Sequence, residues 1–149
     1  MRILPVFVVL AAGFVGAGAA SAQDALDRYE AASETIGDKM NALLAREIPK
    51  VANNLPETEW DDAHRQAGVC VLQTLADEAG IDYVAAMLSA LEQTARRNFK
   101  STAELSSATT LPGSDKIGAN RVQAITEGCG LTALSMQRMM DAGTFEAMQ

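Results

Sequence analysis

The chain has 149 residues and carries 19 acidic residues against 12 basic ones, a net charge of −7. Such an acidic protein repels nucleic acid and anionic lipid, so we expect neither as a partner. The one basic cluster, Arg96, Arg97 and Lys100, falls near the predicted end of a helix, where the helix dipole favours cations.

The first residues have the pattern of a secretory signal peptide. Arg2 supplies a positive start, and residues 3–20 contain no charged side chain. The sequence Ala-Ser-Ala at 20–22 is the small-residue pattern that signal peptidase accepts, so we predict cleavage between Ala22 and Gln23.

A transmembrane anchor is the alternative for this segment. Its second half is rich in Gly and Ala, and acidic rather than basic residues follow it, which disfavours a membrane span. We therefore predict a signal peptide over 1–22 and a single helical domain over 23–149, long enough for a core of its own. The product is expected in the periplasm or secreted, without stable membrane insertion after cleavage.

The remaining residues favour an all-α fold, because strand patterns are nearly absent and good helix formers dominate. The first helix is predicted over 24–48, capped by Asp24 and ended by Pro49. Its inner positions step by three and four, as in a coiled coil: Leu26, Tyr29, Ser33, Ile36, Met40 and Leu43. This seam fits an intramolecular bundle, and a homodimer is the open alternative.

Two further helices follow a turn at 53–56. The second is predicted over 59–79 with Thr58 as its cap and Gly80 after its end. Its stripe is Trp60, Ala63, Ala67, Cys70, Val71, Thr74 and Leu75. The third begins at once with Asp82 as its cap and ends near 99–100, so the two helices should be antiparallel neighbours. Its stripe is Val84, Met87, Leu88, Leu91 and Ala95.

A weaker helical turn at 102–107 precedes the longest break, 109–120, which is rich in Thr, Gly, Pro and Ser. The fourth helix should start within 116–120 and end near Met140. Its predicted inner face is Val122, Ile125, Cys129, Thr132, Ala133, Met136 and Met140. A terminal turn at 145–148 would be capped by Thr144.

Four main helices predict a four-helix bundle or a related compact array. Gly128 and Gly130 lie on either side of Cys129, and we expect them to permit the close approach of another helix.

Cys70 and Cys129 are the only cysteines in the chain. In an oxidising compartment such a pair forms a disulfide, and both lie on the predicted inner faces of their helices. The bridge would close a loop of about 60 residues and stabilise the fold by about 4 kcal/mol. A redox-active pair is the alternative, but the C-x-x-C spacing of such sites is missing.

Catalytic patterns are missing from the sequence. It contains no G-x-S-x-G elbow, no phosphate-binding glycine loop and no C-x-x-C-H haem motif. We therefore predict no catalytic, cofactor-binding or metal-binding residues. His64, the only histidine, is expected to be solvated or half-packed, although a role as a proton acceptor or metal ligand beside the acidic residues at 57–62 stays open.

Four methionines, Met136, Met139, Met140 and Met148, cluster near the carboxyl end. Thioethers are good Cu(I) ligands, but Met136 and Met140 have the spacing of core residues, and methionine commonly fills gaps in a core. Met139 falls off that stripe and is the one expected at the surface.

These patterns favour a non-enzymatic binding or accessory module for another periplasmic protein. Contact would use an exposed apolar face or the 109–120 loop, because loops on rigid scaffolds often carry function. The alternative is a carrier of a small ligand or of copper that uses Met side chains and His64. An enzyme would have to use His64 or carboxylates alone.

Overall fold

A computed structural model describes residues 17–109, 111 and 114–149, with side chains from residue 21 onward. All regular structure in these residues is helical, as predicted. The helices are α1 (Ala17–Glu47), a short 3-10 helix (Pro49–Val51), α2 (Asp62–Ala79), α3 (Ile81–Arg96), α4 (Thr102–Thr109), α5 (Ala119–Gly128), α6 (Leu131–Asp141) and α7 (Thr144–Met148). Most of the predicted signal peptide lies outside the described residues, and its cleavage stays a prediction.

Helix α1 is the longest element and packs against both α2 and α3. Leu26, Tyr29 and Leu43 of its predicted seam are buried, so the three-and-four spacing is confirmed. The helix starts at Ala17, and Asp24 therefore lies inside it rather than at its cap. The predicted end is correct within a residue, because Pro49 begins the 3-10 helix.

Helices α2 and α3 pack against each other across a one-residue link. Gly80 adopts φ +92°, a backbone conformation that glycine reaches at little cost, and it both ends α2 and begins α3. Two predicted caps are wrong: Asp61 rather than Thr58 caps α2, and Gly80 rather than Asp82 precedes α3. The third helix also ends early, at Arg96.

The predicted fourth helix is two helices. Gly130 adopts φ +83°, which separates α5 from α6. A Cβ added to Gly128 or Gly130 would meet nothing within 4 Å, so the predicted close approach of another helix is wrong. These glycines mark a break in the helix instead.

The break also changes which face of the chain is inside. Val122 and Ile125 of α5 are buried as predicted, whereas Met136 and Met140 of α6 are 51% and 49% exposed. The inner face of α6 begins with Leu131 instead. The prediction that Met136 and Met140 fill the core is therefore wrong.

A disulfide between Cys70 and Cys129 confirms the predicted bridge. It joins α2 to the end of α5, with the two Cα atoms 5.7 Å apart. Helices α5 and α6 both pack on α2. The main core runs through α1, α2, α3 and α5, and includes Tyr29, Val71, Leu75, Met87, Leu88, Leu91, Val122 and Ile125.

The carboxyl end of the chain folds back on the 3-10 helix. Thr144 is fully buried, and its hydroxyl donates to the carbonyl oxygen of Asn54. The Asn54 side chain in turn donates to the carbonyl oxygen of Ala142, at 3.1 Å. Thr144 is therefore a buried anchor rather than the predicted cap, and Gly143 precedes α7 instead.

Candidate functional site

The start of α2 is built around one carboxylate. One oxygen of Asp61, Oδ1, accepts the backbone N–H of His64 at 2.9 Å, which satisfies an otherwise unpaired donor of the first turn. The same oxygen lies 2.7 Å from Nδ1 of the His64 ring. Because an ionised carboxylate can only accept, the Nδ1 position carries the proton and donates it. Asp61 thus caps the helix and orients the imidazole.

Arg138 of α6 locks this arrangement from the other side. Its guanidinium donates to Oδ2 of Asp61 at 3.0 Å, and to the carbonyl oxygens of Glu59 at 2.6 Å and Glu57 at 3.2 Å. The hydrogen bonds from His64 and from Arg138 hold the pKa of the Asp61 carboxyl well below its usual range. The segment before α2 is therefore tied to α6 by one side chain.

Trp60 packs inward from that segment. Its ring lies edge-to-face on Tyr29, with ring centroids 5.3 Å apart, and its backbone N–H donates to Oε1 of Glu34 at 2.7 Å. Gly68 of α2 leaves room for the ring, because a Cβ at that position would lie 2.5 Å from Cζ3 of Trp60. Trp60 joins α1 to α2 at this point.

These contacts leave a cleft of about 360 Å³ between α1, the segment 56–60 and α6, hereafter the α1–α6 cleft. Its lining is largely apolar: Met40, Leu44, Pro56, Trp60, Leu131 and Met139. The volume lies within the range of small-ligand pockets.

Most polar side chains around the cleft are already hydrogen-bonded within the protein. Asn41 donates to the carbonyl oxygen of Pro56 at 2.8 Å, and Ser135 donates to that of Leu131 at 3.0 Å. Thr58 donates to the Asp38 carboxylate. These groups shape the cleft, but their donors are committed to the protein.

The His64 ring uses only one of its two nitrogens in this way. Its single side-chain hydrogen bond in the described structure uses Nδ1. No buried side-chain nitrogen or oxygen of the described residues lacks a partner, so Nε2 must keep some contact with solvent. The residue is only 4% exposed and lines the cleft. His64 is therefore buried rather than solvated, which corrects the prediction from sequence.

The methionine cluster is divided by the structure. Met139 lines the cleft together with Met40 of α1, whereas Met136 and Met140 lie exposed on α6. Met148 is half-buried in α7. The sequence predicted Met139 at the surface and Met40 in the core seam, whereas both are half-buried and line the cleft.

The other predicted positions lie outside this cleft. The loop 109–120 places Ile117 in the main core, while residues 110, 112 and 113 are outside the described part of the chain. Near the predicted cleavage point, the side chains of Ala22 and Gln23 are exposed on α1. In the described ranges, no helix is both long and apolar enough to span a bilayer.

For three of the cleft residues, the sequence alone gave no reason to predict a place in a functional site. Asn41, Ser135 and Arg138 are polar residues of a kind found on any helix surface. The sequence contained one clue, a possible helix break at Gly130. After that residue, Leu131, Leu134 and Arg138 follow at steps of three and four residues and define a new helix face.

Comparison with known proteins gives no relative to interpret this cleft. The chain matches no protein-family model, no curated protein and no solved structure.

Proposed function

We propose that the protein is an exported, non-enzymatic binding module for another periplasmic protein, and that the α1–α6 cleft receives apolar side chains of that partner. The observation that carries the proposal is the combination of an apolar lining with polar neighbours that are mostly paired within the protein. An apolar group entering the cleft gains contact area and leaves few polar groups without water.

A protein partner is favoured over a free small molecule by the surface beside the cleft. Successive residues of an α-helix are about 100° apart around its axis. On the circumference of α6, Met136 therefore lies between Met139 and Met140. The apolar surface thus continues from the cleft lining onto the exposed side of the helix. Flexible methionine side chains are typical of surfaces that adapt to a partner.

Export is supported by the way α1 begins. The side chains from Ser21 to Asp24 are exposed, and Leu26 is the first buried side chain described. Cleavage after Ala22 would therefore remove none of the described core side chains. The disulfide is the kind of bond that persists in an oxidising compartment. Intact mass of the protein recovered from its host's periplasm tests this part, and a chain that still contains residues 1–22 would contradict it.

No hydroxyl among the described residues is hydrogen-bonded to the His64 ring, which favours a non-enzymatic role. A His-activated hydroxyl needs a hydrogen bond to the ring. Among the described residues, Thr58 donates to a carboxylate and Ser135 to a backbone carbonyl, and neither donates to His64.

Position 135 allows a direct test of the cleft. A photoactivatable amino acid at Ser135 should crosslink one defined periplasmic protein, whereas the same amino acid at Gln93 should not, since Gln93 lies on α3, which contributes no residue to the cleft lining. Both positions are exposed, so the substitutions leave the core intact.

Binding of the identified protein is then measured by calorimetry with metal-free protein. Ser135→Trp fills the cleft mouth and should weaken binding by at least about tenfold, the loss of a well-buried anchor. Gln93→Trp should leave it within about twofold, as expected for a surface change away from the contact. Equal binding by both variants would overturn the proposed site.

A further inference from the structure

The α1–α6 cleft brings together three potential metal ligands from three helices. Met40 comes from α1, His64 from α2 and Met139 from α6. None of the three is adjacent to another in sequence, so their convergence is a property of the fold. Two thioether sulfurs and one imidazole nitrogen form a soft, uncharged donor set.

The histidine already has the arrangement of a metal ligand. Histidines that bind metals usually donate their other ring N–H to a carboxylate or carbonyl, which fixes the tautomer and the ring orientation. Asp61 does this here at 2.7 Å from Nδ1, and Nε2 of this cleft-lining residue makes no hydrogen bond in the described structure. The backbone bond from His64 to the same carboxylate and the Arg138 contact hold Asp61 in turn.

The chemical nature of these three ligands determines which metal ion they would favour. Zn²⁺ is held by several Cys, His or carboxylate groups, and Ca²⁺ and Mg²⁺ need oxygen ligands. Both cysteines are consumed in the disulfide, and no three His, Cys, Asp or Glu residues in the described part of the chain are placed to share a metal ion. Glu57 is the one carboxylate that lines the cleft. Thioethers, by contrast, are ligands that select Cu(I).

We propose that Nε2 of His64 and the sulfurs of Met40 and Met139 form a Cu(I) site at the inner end of the α1–α6 cleft. The methionine side chains have three rotatable bonds each, which lets their sulfurs adjust to an ion. The site goes beyond the docking of a partner protein and does not depend on the identity of that partner.

The test is an anaerobic competition for Cu(I) between the purified, disulfide-bonded protein and the chromogenic chelator bicinchoninate. Ascorbate keeps the copper reduced. The protein should bind one equivalent of Cu(I). The double variant Met40→Leu with Met139→Leu should weaken binding by at least about tenfold, whereas Met136→Leu with Met140→Leu should leave it within about twofold. Leucine nearly conserves the volume of methionine, so both variants should fold.

A second measurement locates the ion. Ag(I), a redox-inert substitute for Cu(I), should shift the methyl NMR signals of Met40 and Met139 and leave those of Met136 and Met140 in place. The site is overturned if no equivalent binds, if both double variants lose affinity equally, or if the exposed methionines are the ones that shift. Since partner binding is measured on metal-free protein, such a result would leave the docking proposal standing.

Discussion

Among the described glycines, Gly68 is the one where an added Cβ would meet the closest neighbour. A Cβ there would lie 2.5 Å from Cζ3 and 3.0 Å from Cη2 of Trp60, and 3.1 Å from Cδ1 of Leu26. The Trp60 side chain cannot turn away freely. Its ring packs edge-on against Tyr29, and the backbone N–H of Trp60 donates to the Glu34 carboxylate. The substitution Gly68→Ala should therefore push Trp60 toward the cleft.

The expected magnitude comes from two opposing terms. Alanine gains about 1 kcal/mol over glycine within a helix. Overpacking a filled core costs about 1–3 kcal/mol, and a 2.5 Å contact with a rigid ring lies at the upper end of that range. We expect Gly68→Ala to destabilise the protein by about 1–2 kcal/mol, the difference between these terms.

Gly128→Ala is the matched control, since a Cβ there meets nothing within 4 Å and Gly128 is the last residue of α5. It should keep part of the helix gain and be neutral or stabilising by up to about 1 kcal/mol. Urea unfolding followed by circular dichroism gives the stabilities, and emission of Trp60, the only tryptophan, reports displacement of the ring. If Gly68→Ala were as stable as Gly128→Ala with unchanged emission, the packing argument would be wrong.

Three further changes test the links between elements. Replacing Cys70 and Cys129 together by serine should lower the free energy of unfolding by about 4 kcal/mol in non-reducing urea titrations, and a loss below about 1 kcal/mol would contradict the loop-closure argument. Arg138→Gln removes three hydrogen bonds from a side chain that is 19% exposed and should cost about 2–3 kcal/mol. By contrast, Arg121→Gln, which removes an exposed ion pair, should cost less than about 1 kcal/mol; equal losses would count against Arg138 as the tie. Burial raises the pKa of Tyr29 to about 12, so the folded state keeps a proton that the unfolded state releases near pH 10. The stability that depends on this proton is complete below about pH 10 and lost as pH rises to about 12. Tyr29→Phe should flatten this part of the stability profile, and an unchanged slope would refute the assignment.

Local sequence patterns were sufficient to predict buried positions where a single helix packs on the core. The steps of three and four residues predicted four buried positions of α3 and, in α1, Leu26, Tyr29 and Leu43, because each helix keeps one face toward the core. Gly80 predicted the junction of α2 and α3, because its positive φ allows a turn of one residue. The two core-facing cysteines predicted the disulfide for the same reason.

The cap of α2 shows where local rules were insufficient. Thr58 and Asp61 are both acceptable caps by residue type. The choice depends on tertiary contacts, because Trp60 packs on Tyr29 in the segment between them and Arg138 holds the Asp61 carboxylate. No window of neighbouring residues contains Arg138 together with Asp61, so the prediction had no basis for preferring the correct residue.

The α1–α6 cleft depends on the break at Gly130. In one uninterrupted helix, Met136 and Met140 would share the inner face of Val122, and Arg138 would point the opposite way. The left-handed conformation of Gly130 resets the phase, which turns Arg138 and Met139 toward α1.

The disulfide fixes where that change of phase occurs. Cys129 is the last residue before Gly130, and its bond to Cys70 ties the end of α5 to α2. The start of α6 is therefore held against the same helix that carries His64. Because Arg138 reaches back to the cap of α2, the helix break and His64 belong to one connected unit. A change that loosens the bridge should thus disturb the cleft, even though neither cysteine lines it.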